Sequence, residues 1–178
     1  MIFFRPFYWV LNVKDHLINK EKIIGSISSV NTPYHNYDVE DYTSYISSTD
    51  WVYKHQTNWF NYALSKRDIE NYQKFVYRKF KKTRLHVNSS WFNQYYPDSG
   101  SEHYWHHHKP EPLTNIYFVE LEDKSLRTIL RHPVTGKEII PRVKEGQMLT
   151  FDGRIEHMSP PNNTSTRKTV ISFNTNFI

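Results

Sequence analysis

His103-Tyr104-Trp105-His106-His107-His108-Lys109-Pro110-Glu111-Pro112-Leu113-Thr114-Asn115-Ile116-Tyr117-Phe118-Val119 reads as a short strand, a turn bounded by two prolines and a second, strongly apolar strand. Side chains on a strand alternate between faces, so His106 and His108 can converge on one ion while His107 points away. A third ligand must come from elsewhere in the chain. Residues 145–153, Glu-Gly-Gln-Met-Leu-Thr-Phe-Asp-Gly, read as turn, strand and turn and deliver His157. Beyond a Pro- and Asn-rich loop, Arg167 is a guanidinium of the kind that captures carboxylates by bidentate hydrogen bonds.

Period-two patterning extends on both sides of this stretch. Leu85, Val87 and Ser89 alternate, and Trp91, Asn93 and Tyr95 share one face of a second extended run that stops at the turn Pro97-Asp98-Ser99-Gly100. Further strands are expected over 103–108, 113–121, 126–131, 138–143, 147–151 and 169–177. The first eighty-odd residues read differently. Asp15 to Ile24 has a helical pattern stopped by Gly25, and 38–47 and 55–64 are expected as shorter helices. The strongest helix has Ser65 as N-cap and runs to Lys82, with Asp68 and Glu70 near its start and an apolar stripe of Ile69, Tyr72, Phe75, Val76 and Phe80. The prediction is a single domain over 1–178 that is mainly β with α. A mostly helical support, 1–83, would buttress a β-sandwich or barrel over 84–178 on one side.

Composition narrows the chemistry. The chain has 178 residues and no cysteine, which excludes disulfides and thiolate ligands and leaves nitrogen and oxygen to hold any metal. Aromatic residues make up 16 %, including thirteen Tyr and five Trp, so rings are expected to build the core and line clefts. The net charge is +5, part of it in the segment Arg78 to Arg84, which reads as a solvated helix end rather than a nucleic-acid patch because no recognition motif accompanies it. The start, Met1-Ile2-Phe3-Phe4-Arg5-Pro6, lacks the pattern of a signal peptide, and no run approaches the ~20 apolar residues of a membrane span. A soluble cytoplasmic protein is the expectation.

The order of strand with His-x-His, apolar strand, second turn and strand, His157, then Arg167-Lys168-Thr169-Val170-Ile171-Ser172-Phe173-Asn174 resembles the 2-oxoglutarate/Fe(II)-dependent oxygenase superfamily. The resemblance spans Leu85 to Phe177. It implies a double-stranded β-helix core, of jelly-roll or cupin-like form, with N-terminal support helices. It also implies a dioxygenase of the hydroxylase type that uses Fe(II), 2-oxoglutarate as small-molecule cosubstrate and dioxygen. By the same resemblance His106, His108 and His157 hold the metal, Arg167 and Thr169 anchor the far carboxylate of 2-oxoglutarate, and Asn93 and Tyr95 belong to a strand that touches it. No catalytic residue separate from the metal ligands is implied.

The family commonly has His-x-Asp where this chain has His106-x-His108, a form similar to that of uncharacterised bacterial and viral branches. Three imidazoles leave the bound metal more positive than a set with a carboxylate. Glu111 and Glu102 are the alternative carboxylates for that position, whereas Glu156 points away if its segment is extended. A cupin-type metal dioxygenase or isomerase would use His106, His108, Glu111 and His157 without 2-oxoglutarate, and a non-catalytic β-helix binding module remains a third reading. The primary substrate, whether protein side chain, nucleobase or metabolite, stays open at this level. An exposed aromatic face in the N-terminal half makes a homodimer possible.

Overall fold

The computed structural model describes residues 7–28, 35–39, 42–55 and 57–178. Twelve strands are present among them: β1 (Tyr8–Asn12), β2 (His35–Val39), β3 (Tyr42–Ile46), β4 (Ser48–Thr49), β5 (Leu85–Tyr95), β6 (His103–His106), β7 (Leu113–Leu121), β8 (Ile129–Arg131), β9 (Glu138–Ile139), β10 (Gln147–Asp152), β11 (His157–Ser159) and β12 (Lys168–Phe177). They form a six-stranded antiparallel sheet in the order β1-β10-β7-β12-β5-β4, a four-stranded one in the order β6-β11-β8-β9, and the separate hairpin β2-β3. Two antiparallel sheets packed face to face are the layers of a double-stranded β-helix.

The large sheet is covered on both faces, so its central strands β7 and β12 are buried along almost their whole length, polar residues included. On β12, Ile171 and Phe173 face the helices α1 (His16–Ser28), α2 (Trp59–Ala63) and α3 (Lys66–Phe80) and join Ile23, Trp59, Phe60, Tyr72 and Val76 in one core. Val170, from the opposite face, joins Tyr95, Ile116, Phe118, Leu130, Leu149 and Phe151 in a second core between the sheets. The helices therefore fix the back of the sheet, and the front is left to line an interior.

Helix α3 starts where its capping signal lies: Ser65 Oγ accepts from Asp68 N, and the chain ends the helix at Lys81 in the left-handed conformation. Asp68 also accepts from the backbone of Lys14 and Asp15, at 2.7 and 3.3 Å, which ties the β1–α1 connection to α3. Other helix expectations need correction. Helix α1 does not stop at Gly25 but continues to Ser28. The helix expected over 38–47 is absent among the described residues, where β2 and β3 stand, so the front of the chain is not purely helical. It also supplies β1 and β4 to the edges of the large sheet. Residues 40 and 41 of that expectation, and the opening residues 1–6, lie outside the described residues. The two extended runs expected over 85–95 are one strand, β5, while those over 126–131 and 138–143 are shorter than expected. No described helix is long and apolar enough to cross a membrane.

Candidate functional site

Strands β6 and β11 pair so that His106 and His157 are direct Cα partners, and their rings approach to 4.2 Å between centroids. His108 joins them differently from the expected pleat, because β6 ends at His106. Its backbone N–H donates to the Gly153 carbonyl at 2.7 Å, bringing the turn after β10 against the turn after β6. A Cβ at Gly153 would lie 2.1 Å from the Glu111 carbonyl oxygen, so only glycine allows this approach. The potential ligand atoms of His106, His108 and His157 all lie within 4.8 Å of one another. His107 is exposed and stands outside this group.

The tautomers follow from the partners. His106 Nδ1–H donates to the Tyr104 carbonyl at 2.7 Å, His157 Nδ1–H to the Ile155 carbonyl at 3.1 Å, and His108 Nδ1–H to Asn174 Oδ1 at 2.8 Å. All three acceptors are oxygens without a proton to give, so each imidazole keeps Nε2 as a free lone pair. Asn174 is itself oriented, accepting from Thr114 Oγ1 and donating to Ser89 Oγ. Metal-binding histidines are held in just this way, by an oxygen on the nitrogen that does not coordinate. Burial lowers the pKa of His106 to about 3 and of His108 to about 4, and pushes His157 well below the ordinary histidine value, each reinforced by a neighbouring imidazole or cation. At neutral pH the trio is uncharged and ready to bind a cation.

Next to the trio is a small inner cavity, about 20 Å³, whose wall includes Asn93, Tyr95, His106, His108, His157 and Lys168. Asn93 accepts from Thr49 Oγ1, and the Tyr95 hydroxyl is pushed up in pKa by burial. The unexpected member is Lys168. It is 1 % exposed, its Nζ donates to Ser159 Oγ at 2.7 Å, and the Tyr95 ring lies 5.0 Å away. Among the described residues no carboxylate pairs with it, and desolvation lowers its pKa to about 7. A buried ammonium without a counter-ion is costly in an isolated fold, and an anion entering the cavity removes that cost.

Arg167 and Thr169 do not reach this interior, contrary to expectation. Arg167 makes a bidentate ion pair with Glu120, at 2.8 and 2.9 Å, and Thr169 hydrogen-bonds the same carboxylate and accepts from Gln94. The reason is the pleat: neighbours on β12 point to opposite faces, so putting Lys168 inward turns Arg167 and Thr169 outward. Of the alternative carboxylates, Glu111 lies at the outer rim and accepts from Asn88 Nδ2 at 2.5 Å, Glu102 is outside the histidine group, and Glu156 pairs with Arg131 at 2.6 Å, pointing away as expected.

No family model matches the chain, and no curated protein matches it by sequence. Solved structures do resemble it over nearly its whole length. A viral collagen prolyl hydroxylase from Paramecium Bursaria Chlorella virus-1, solved as a 2OG complex, covers 97 % of this chain and 97 % of its own at 12 % identity and a TM-score of 0.62. A 2OG-Fe(II) oxygenase family oxidoreductase from Burkholderia pseudomallei covers 95 % and 84 % at 10 % identity and 0.64. The non-heme alpha ketoglutarate dependent epimerase SnoN from nogalamycin biosynthesis covers 97 % and 78 % at 9 % identity and 0.72. The polypeptide thus folds as the 2OG-Fe(II) oxygenases do, and its three-histidine cluster lies in a cavity of that fold.

Proposed function

We propose that the chain is a 2-oxoglutarate-dependent non-haem Fe(II) dioxygenase of the hydroxylase type. The observation that supports this best is the convergence of three neutral imidazoles, each with Nδ1–H committed to an oxygen, beside a buried lysine that lacks an anion. Imidazoles accept several divalent metals; the likeness in fold to 2OG-Fe(II) oxygenases supports the reading of iron among them. The donor set fits both groups. His106, His108 and His157 would hold the metal through Nε2, and Lys168 would hold the far carboxylate of 2-oxoglutarate in the role first expected of Arg167. A divalent ion and an ammonium, with no carboxylate among the described residues of the inner wall, make the site strongly positive and attract a dianion, whose binding leaves one positive charge in excess.

The metal, when bound with 2-oxoglutarate and dioxygen, supplies the oxidising power for substrate hydroxylation. The protein's own residues bind, orient and keep the site dry. Asn174 and the two backbone carbonyls fix the imidazole planes. Phe151 packs edge-on against His157 at 4.7 Å and Trp91 lies 5.5 Å from His108, so apolar rings cover the trio. The inner cavity has room for about one water, so it would have to widen to admit a keto acid. Ser159, Tyr95 and Asn93 line the same wall as Lys168 and would offer polar contacts to that carboxylate.

Purified protein given 2-oxoglutarate and oxygen should form succinate only when Fe(II) is present, and a His157→Ala variant should form none. Succinate formation that is independent of Fe(II), or none by the wild type under any Fe(II) supply, contradicts the proposal.

The lysine also sets a pH dependence. Its pKa near 7 means that the free site loses its ammonium above neutrality, whereas binding a carboxylate requires that proton. Affinity for 2-oxoglutarate should therefore be flat below pH 7 and fall by up to about tenfold per unit above it. Metal affinity should show no matching slope, since His106 and His108 are already neutral well below this range. Calorimetric titrations from pH 6 to 9 check both statements.

A further inference from the structure

Outside the histidine trio the interior opens into a second cavity of about 420 Å³, which shares Trp91, Asn93, His103, His106 and His108 with the inner one. Its volume falls within the range of sites for small molecules. Its rim carries more positive than negative charge. Lys54 and Lys109 line it together with the imidazoles of His55 and His107, against a single carboxylate, Glu111, already engaged by Asn88.

Lys54 is the best placed of these groups. It caps the short 3-10 helix Trp51–Tyr53, and its carbonyl accepts from Ser90 N on β5 at 3.1 Å, so its backbone is anchored to the sheet. Its Nζ stands 4.0 Å from the centre of the Trp51 ring and makes no ion pair among the described residues. It is near enough to His108 for its charge to disfavour imidazolium there, and Glu111 offsets only part of the cost of its burial. Ile46, Trp51 and Trp91 give the same cavity an apolar side. Trp91 is 2 % exposed, and its indole N–H is buried with no acceptor among the described residues. Buried donors are almost always paired, and because Trp91 lines this cavity its N–H is available to an oxygen of a ligand there.

We propose, resting on the oxygenase reading above, that the primary substrate is a small organic anion. It would be a carboxylate or a phosphate monoester on an apolar body, with its charged group held by Lys54, its body against Ile46, Trp51 and Trp91, and an oxygen accepting from the Trp91 indole. Because Lys54 lies close to His108, the carbons near the anionic group are those presented to the metal.

Phenylacetate, phenyl phosphate and the neutral phenylacetamide are the probes, titrated calorimetrically into the full chain with and without Mn(II). At least one of the two anions should bind about tenfold or more tightly than the amide, and the tighter of the two identifies the acid class. Lys54→Gln should remove that preference, Lys54→Arg should keep it, and Glu111→Gln should strengthen binding a few-fold. Lys168→Met should leave phenylacetate binding intact, which separates this site from the keto-acid anchor. Equal affinity for phenylacetamide, or binding unchanged in Lys54→Gln, overturns the proposal. An acidic peptide that binds more tightly than either probe with the same Lys54 dependence overturns the small-molecule assignment. If 2-oxoglutarate fails to bind the Mn(II) form while phenylacetate binding still depends on Lys54, the oxygenase reading falls and the anion site stands.

Discussion

Lys168→Met is expected to weaken the binding of 2-oxoglutarate to the metal-loaded protein severely while leaving metal binding unchanged. The methionine keeps most of the stem volume and removes the only cation on the inner wall. Truncating one partner of a buried, hydrogen-bonded charge pair costs about 2–5 kcal/mol, which is roughly 30-fold to several-thousand-fold in affinity. The same change should raise, not lower, thermal stability in the absence of 2-oxoglutarate, because a buried ammonium with one hydrogen bond, to Ser159, and no carboxylate partner among the described residues is unfavourable in the ligand-free fold. Loss of ligand response combined with gain of stability is a signature that a merely structural lysine would not give. Arg167→Ala is the matched control. It breaks a partly exposed pair with Glu120, so 2-oxoglutarate affinity should stay within a few-fold of the wild type. Calorimetry with Mn(II) in place of iron, and melting curves with and without 2-oxoglutarate, measure both quantities.

His157→Ala and His106→Ala should each eliminate metal-dependent stabilisation, with a drop in affinity greater than the 10–100-fold typical of losing an outer partner. His108→Ala should do the same if all three Nε2 atoms are used. His107→Ala should bind metal as the wild type does, since that ring is exposed and outside the group. Asn174→Ala tests the tautomer argument, because Asn174 is not one of the three clustered ligands and its loss frees His108 Nδ1, together with the Thr114 and Ser89 hydroxyls. A loss of about 10–100-fold is expected there. Equal behaviour of all four histidine variants in metal-dependent melting would show that the cluster is not a metal centre.

Much of the fold is legible in the sequence because its local signals are strong. The apolar run Leu113 to Leu121 matches β7 at both ends, and Ser65 with Asp68 marks the start of α3 through a capping hydrogen bond. The failures have physical causes. Tyr42, Thr43, Tyr45 and Ile46 are aromatic or β-branched, a strand preference that the helical reading of 38–47 overlooked, and they lie in β3. Strand β11 has three residues, too few for any period to show, and its pairing with β6 is a long-range contact.

The histidine trio was legible from spacing, but the route by which His108 joins it was not. A turn held by Gly153, rather than the pleat of β6, puts it there. The cation that faces the interior lies one residue beyond the expected Arg167, for a related reason. On β12 Val170 and Ile171 are both buried, in different cores. A strand buried on both faces has no apolar–polar alternation, and nothing local then tells which of Arg167 and Lys168 points inward. The chemistry of arginine suggested one answer, and the pairing of Lys168 between Tyr95 and Leu121 imposes the other.

The most direct test of the account is an anaerobic titration of 2-oxoglutarate into the Fe(II)-loaded protein, followed by visible absorption for the weak band that arises when a keto acid chelates ferrous iron. The band should appear with saturable dependence on 2-oxoglutarate in the wild type and in Arg167→Ala. It should be absent from His157→Ala, and the concentration needed to reach it should rise steeply in Lys168→Met. A full-strength band at unchanged concentration in Lys168→Met, or no band in a wild-type protein that demonstrably holds iron, would contradict it.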